Sequence, residues 1–251
     1  MMFERNNPDC NKMELVSPIL RGGDGLGEVD RVVRALSNVE TIKVNSSMGF
    51  HVHVDVSNLS LSELKKVCQN FVKYEAVMDT LMPPSRRTGG RGSQWCQSNR
   101  SAIGGSNQSI HRIIDACTSV QQLGNTMSPT KYYKLNMQPL LSGRQPTIEF
   151  RQHSSTYTKE KVMNWVRFCV AFVSNSARLK APSFSSNANA EELFNMMFMY
   201  VVKDRCLRDY YRQRRVEVST QDDCCDGCAS GSSCAGKSNT VYRVGYAERR
   251  Y

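Results

Sequence analysis

Three of the four histidines in this 251-residue chain stand in two short alternating stretches. "GFHVHVDV" sets His51, His53 and Asp55 between Phe50, Val52, Val54 and Val56. "TIEFRQH" sets Glu149, Arg151 and His153 between Ile148, Phe150 and Gln152. Alternation with a period of two marks a half-buried strand and throws each polar set onto one face. A face carrying carboxylates, imidazoles and a guanidinium can grip a divalent cation and phosphate oxygens. It can equally neutralise itself as a polar ladder, and neither His-x-His nor Glu-x-Arg is specific alone. Two such strands in one chain, with Glu14 in a third apolar run and arginines at Arg86, Arg87 and Arg91, favour the ion-and-phosphate reading. Making an amide from a carboxylate and an amine needs that equipment. A carboxylate is a poor electrophile, so ATP must first turn it into an acyl phosphate, a transfer that rests on positioning and charge neutralisation. The amine must then lose a proton near the site, which wants a carboxylate or imidazole base.

The elements that would hold these residues can be read from periodicity and punctuation. "MELVSPIL" reads as a strand closed by Pro18 and a "RGGDGLG" loop. Leu26, Val29, Val32, Val33 and Leu36 recur at helical spacing, predicting a first helix of about three turns. Ser60 with Glu63 forms a capping box. The helix it opens carries Leu61, Leu64, Val67, Cys68, Phe71, Met78 and Leu81 and stops before Pro83-Pro84. Residues 83–109 read as a long Gly/Ser/Arg loop, with a short helix over 109–117. "KYYKLNMQPLL" and "PTIEFRQHSST" read as an antiparallel strand pair joined at "SGRQP". Two helices follow, marked by Val162–Val173 and Leu193–Val201, with Asn189 or Ser186 as caps for the second. The order predicts an α+β protein with a curved, mainly antiparallel sheet packed by long helices.

Composition sets the outer limits. At 40% hydrophobic and 22% charged residues the chain has the balance of a folded protein. The net charge of +10 attracts polyanions, but no sequence element demands nucleic acid, and a nucleotide or acidic substrate explains the charge as well. No stretch reaches the ~20 apolar residues of a membrane span, and "MMFERNNPDC" lacks a secretory core. A cytoplasmic, reducing location is therefore expected for the ten cysteines, with Cys68 and Cys169 as core residues.

Taken together and in order, "ELVSPIL", "GFHVHVD", "YEAVMDTLMPPSRR", "YYKLNMQPL" and "TIEFRQHSST" resemble the putative amidoligase family, over about residues 13–215. That family is a branch of the carboxylate–amine ligases with the glutamine synthetase fold. The resemblance implies ATP and Mg²⁺ (or Mn²⁺) as cofactors, and amino-acid or peptide carboxylates and amines as substrates. It implies Glu14, His51 and Glu149 as metal ligands and His53 near the nucleotide. Arg151 and one of Arg86 and Arg87 would take the transferring phosphoryl group, with Asn136 and His153 orienting substrate. Asp55, where the family pattern has a nucleotide-side Ser, would instead hold His53 in one tautomer.

The chain departs from the pattern in three places. The family's first strand pair has no counterpart before Met13, so an open sheet edge is expected, which invites association into a homo-oligomer or pairing with another chain. A degenerate, non-catalytic domain that binds nucleotide or protein is the alternative this favours. Met48 stands where the family often has Cys, a change expected to affect packing. Residues 216–251 read as an irregular Cys/Gly/Ser-rich tail appended to a 1–215 catalytic domain. Its "CCDGCASGSSC" holds Cys224, Cys225, Cys228 and Cys234 but only one Cys-x-x-Cys pair, a poor match to a zinc site.

Overall fold

A computed structural model describes residues 14–44, 48–180, 182 and 188–220, together with the main-chain course of 241–248. It is a mixed α/β protein. Strands β1 (Glu14–Val16) and β2 (Leu20–Arg21) lead into helix α1 (Gly22–Ser37). Strand β3 (Gly49–Asp55) is followed by helix α2 (Leu61–Thr80) and three shorter helices, α3 (Asn99–Ile103), α4 (Asn107–Ala116) and α5 (Val120–Met127). Strand β4 (Leu135–Asn136), one helical turn α6 (Gln138–Leu141) and strand β5 (Thr147–Ser154) complete the middle of the chain. Helix α7 (Lys159–Arg178), helix α8 (Ala190–Met196) and helix α9 (Arg205–Thr220) then precede strand β6 (Val241–Glu248).

The sheet runs in the order β1-β6-β3-β5-β4, with β2 also on β6. β3, β5 and β4 are antiparallel neighbours, as expected. β6 lies parallel to β1, β2 and β3, so the sheet is mixed and β3 has a neighbour on each side. The tail also proves less irregular than predicted: α9 continues to Thr220 and 241–248 is a strand. Cys224, Cys225, Cys228 and Cys234 lie outside the described residues.

One face of the antiparallel part carries the core. Phe150 of β5 meets Phe71 of α2 and Trp165 and Phe172 of α7 edge-on, at centroid distances of 6.0–6.3 Å. Aromatic pairs in this arrangement add about 0.5–1.5 kcal/mol each beyond burial. Cys68 and Cys169 are buried there as free thiols. α2 starts as its sequence dictates: Ser60 Oγ accepts from Glu63 N at 3.3 Å while Glu63 Oε2 accepts from Ser60 N at 2.8 Å. Asn189 opens α8 with the same reciprocal pair.

Three elements depart from expectation. The "RGGDGLG" loop is the first turns of α1, because burying Val29 and Val33 overrides the low helix propensity of glycine. Gly25 is required there, since a Cβ would lie 2.9 Å from Leu20 Cβ. "KYYKLNMQPLL" keeps only Leu135 and Asn136 as strand before turning helical at Gln138-Pro139. Helix α9, with Leu207, Tyr211 and Val218 buried, had no counterpart in the sequence reading.

Candidate active site

β3 is buried on both faces rather than one. His51 and His53 are 6% and 5% exposed, and Glu149 and Arg151 of β5 are 2% and 7% exposed. Such groups are tolerated only when they satisfy one another. Cross-strand register does this by setting His53 opposite Glu149 and Glu149 opposite Asn136 of β4.

Glu149 is the hub. Its Oε1 takes a 2.7 Å bond from Arg151 Nη1 and lies 3.1 Å from His51 Nδ1 and 3.6 Å from His53 Nε2. Its Oε2 takes a 2.6 Å bond from Asn136 Nδ2. Burial works to raise the Glu149 pKa. The bonds from His51 and His53 and the Arg151 charge outweigh it and hold the carboxyl well below the usual range. Burial pushes His51 the other way, down to about 4, against the pull of Glu149. At neutral pH Glu149 is therefore an anion, and neutral His51 donates its Nδ1 proton to it. Asn136 is oriented by accepting from Gln138 N at 2.9 Å, so its amide N–H faces the carboxylate.

Arg151 is the one member left incomplete. Its Nε is fully buried and has no hydrogen-bond partner among the described residues. A buried guanidinium N–H without an acceptor is costly.

A β-bulge shapes this part of β5. Phe50 pairs with His153 and Val52 with Phe150, so Arg151 and Gln152 together oppose His51. The extra residue reverses the alternation beyond it. His153, expected beside Glu149 and Arg151, turns instead to the helix layer. There it meets Phe50 at 5.7 Å and Trp165 at 5.3 Å. Its Nδ1 donates to Ser154 O at 2.6 Å, and burial pulls its pKa down to about 3. His153 is packed as an aromatic residue away from the cluster.

Arg86 reaches the cluster, but its guanidinium donates to the carbonyls of the two bulged residues, Arg151 O at 2.8 Å and Gln152 O at 3.2 Å. A bulge disrupts the ladder locally, and Arg86 supplies the donors there. Arg87 donates to Met82 O at 2.8 Å and to Val218 O at 3.1 Å, tying the loop to α9. Both arginines thus have structural duties that the sequence reading, which sent one of them to phosphate, did not anticipate. Asp55 accepts from Ser57 N at 2.8 Å. The His53 ring, which the sequence reading assigned to Asp55, has its Nδ1 3.0 Å from Thr147 Oγ1. Glu14 is exposed on β1, and β6 runs between β1 and β3.

Close backbone approach matters at Gly49. A Cβ there would lie 2.6 Å from His51 Nε2 and 2.9 Å from Arg86 Nη2. No group of three or more His, Cys, Asp or Glu side chains that could hold a metal ion exists among the described residues.

The sequence reading missed a second ionic cluster. Lys134, fully buried, donates to Glu75 Oε1 at 3.0 Å, Asp79 Oδ1 at 2.6 Å and Thr88 Oγ1 at 2.7 Å. Gln152 Nε2 also bonds Asp79 Oδ1. The available signal was the spacing of Glu75 and Asp79, one turn apart on α2.

Strand, bulge and helix layer together define a mixed α/β protein whose antiparallel strands press a carboxylate, two imidazoles and a guanidinium into one buried ion cluster. The chain belongs to the family described as putative amidoligase enzyme, whose model matches residues 4–173. No curated protein and no solved structure matches the chain significantly. Among the described residues no helix is long and apolar enough to cross a membrane.

Proposed function

We propose that this protein is an ATP- and Mg²⁺-dependent carboxylate–amine ligase, forming an amide or isopeptide bond through an acyl phosphate. The observation that carries the reading is the unmet Nε–H of Arg151, buried beside the Glu149–His51 pair. A guanidinium is suited to phosphate, and one already anchored on Glu149 needs little reorganisation to receive it.

The donor set bears on the metal. Glu149 Oε1 and His51 Nδ1 stand 3.1 Å apart, and the described residues add no third His, Cys, Asp or Glu to make a closed site. Mg²⁺ is characteristically held by one or two carboxylates plus substrate phosphates and water, rather than by an all-protein cage. Glu149 and His51 fit a cation brought in on a nucleotide, and Glu14 would join them only if β1 moved inward. When bound, the cation would neutralise phosphate charge. Arg151 would take the transferring phosphoryl group, His53 would face the nucleotide, and Asn136 would keep Glu149 oriented. Arg86 acts one step back, by holding the bulge that aims Arg151. The substrates are read as amino-acid or peptide carboxylates and amines.

The test is amine-dependent ADP release by the full chain, with Glu149→Gln alongside. Release that requires amine and Mg²⁺ and disappears in the variant supports the ligase. Equal release by wild type and variant sinks it. One observation favours the alternative of a non-catalytic nucleotide- or protein-binding domain: the guanidinia of Arg86 and Arg87 are committed to main-chain carbonyls. That reading predicts a thermal shift with Mg-ATP and no turnover.

A further inference from the structure

His53 sits between two oxygens of different character. Its Nε2 faces Glu149 Oε1 at 3.6 Å, and its Nδ1 lies 3.0 Å from Thr147 Oγ1. A carboxylate at neutral pH can only accept. A ring with its proton on Nδ1 would turn the Nε2 lone pair toward that anion, which is repulsive. A ring with its proton on Nε2 is attracted to it and leaves the Nδ1 lone pair to be satisfied. The Thr147 hydroxyl can supply the proton for that bond. Thr147 is fully buried, so its hydroxyl has few alternatives to satisfy it. Thr147 stands opposite Asp55 at the start of β5, one diagonal step from His53, within reach across an antiparallel pair.

We propose that Thr147 is a positioning residue of this site: its hydroxyl donates to His53 Nδ1 and fixes the ring proton on Nε2, facing Glu149. The effect on chemistry rests on the ligase reading. With its tautomer set, His53 presents a constant N–H donor, and Glu149 keeps its charge shared among His51, His53, Arg151 and Asn136. Partners that orient a site imidazole from behind typically contribute about 10–100-fold in affinity or activity.

The tautomer can be read without any turnover. In ¹⁵N-histidine-labelled full chain at neutral pH, long-range proton–nitrogen spectra distinguish the two ring nitrogens, and His53→Gln assigns the signal. A protonated Nε2 and a bare Nδ1 are expected for His53 in wild type. A protonated Nδ1 there overturns the proposal before any Thr147 variant is made. Thr147→Val should shift His53 toward a tautomer mixture, and Thr147→Ser should restore the wild-type pattern. A tautomer unmoved by Thr147→Val also overturns it. Amine-dependent ADP release should fall about 10–100-fold in Thr147→Val and return in Thr147→Ser. Full activity in Thr147→Val despite a changed tautomer would sink the functional claim. An inactive wild type with the expected spectra would sink the ligase reading and leave the positioning intact.

Discussion

Two buried ion clusters lie within a few residues of each other, and they are finished differently. At Lys134, three oxygens meet one ammonium: Glu75 Oε1, Asp79 Oδ1 and Thr88 Oγ1. Glu75 Oε2 accepts from Arg100 N at 3.0 Å, and Asp79 Oδ2 accepts from Thr88 N at 3.1 Å. At Arg151 the anion is equally well supplied, but the guanidinium keeps an Nε–H with no acceptor among the described residues. The Lys134 ammonium, with all three of its donors met, fixes structure by joining α2 to the loop after it and to β4. The Arg151 guanidinium is short of one acceptor, the feature on which the proposed phosphate contact rests. Burial and charge do not tell the two apart, and hydrogen-bond accounting does.

The comparison can be broken from either side. The largest expected effect is Lys134→Met, which leaves Glu75 and Asp79 facing each other without their cation. Removing one partner of a buried ion pair costs about 3–5 kcal/mol, measured as a lowered urea midpoint. A cost under about 1 kcal/mol would show that the first cluster is not structural. Arg151→Met should cost less, about 1.5–3 kcal/mol, because Glu149 keeps His51, His53 and Asn136. The same variant should lose the thermal shift produced by Mg-ATP, while Lys134→Met, assayed well below its melting point, retains it.

His153 sharpens the contrast from the helix side, because it is satisfied only as a neutral ring. Burial puts its folded pKa at about 3, below the unfolded value of 6.5. Between those values the unfolded state binds a proton that the folded state does not, so stability falls as pH drops through that window. One such group contributes up to about 1.4 kcal/mol per pH unit. His153→Phe should flatten the stability loss between pH 7 and pH 5 in urea titrations, and an unchanged slope would contradict the assignment. The smallest expected effect is Ser60→Ala, about 1 kcal/mol from the lost cap of α2. It should move the melting temperature and leave any Mg-ATP response alone.

How much of this was legible in the sequence follows from the range of each interaction. The extent of strand β3, the Ser60 cap and the stripe of α2 are local patterns and stand as read, while the burial of the polar face of β3, which depends on its neighbours, does not. Glu149, His51 and Asn136 came together because strict pairing carries alternation across three strands. The face of His153 was not legible: one unpaired residue reverses parity, and nothing in "EFRQH" marks where it falls. The duties of Arg86 and Arg87 depend on carbonyls more than sixty residues away, Arg151, Gln152 and Val218. Glycines conceal the start of α1, since its helix is bought by burial rather than propensity.

The extra residue in β5 has an evolutionary corollary. It works as a phase shifter, letting Phe150 and His153, three positions apart, both face Trp165 while Glu149 and Arg151 share the other side of the strand. Removing one residue between Phe150 and His153 would restore regular pairing with His153 still opposite Phe50, but only one side chain would then stand where Arg151 and Gln152 now both oppose His51, so either the bond to Glu149 or the bond to Asp79 would be lost. A length change at this point would therefore be far less forgivable than a change of side chain.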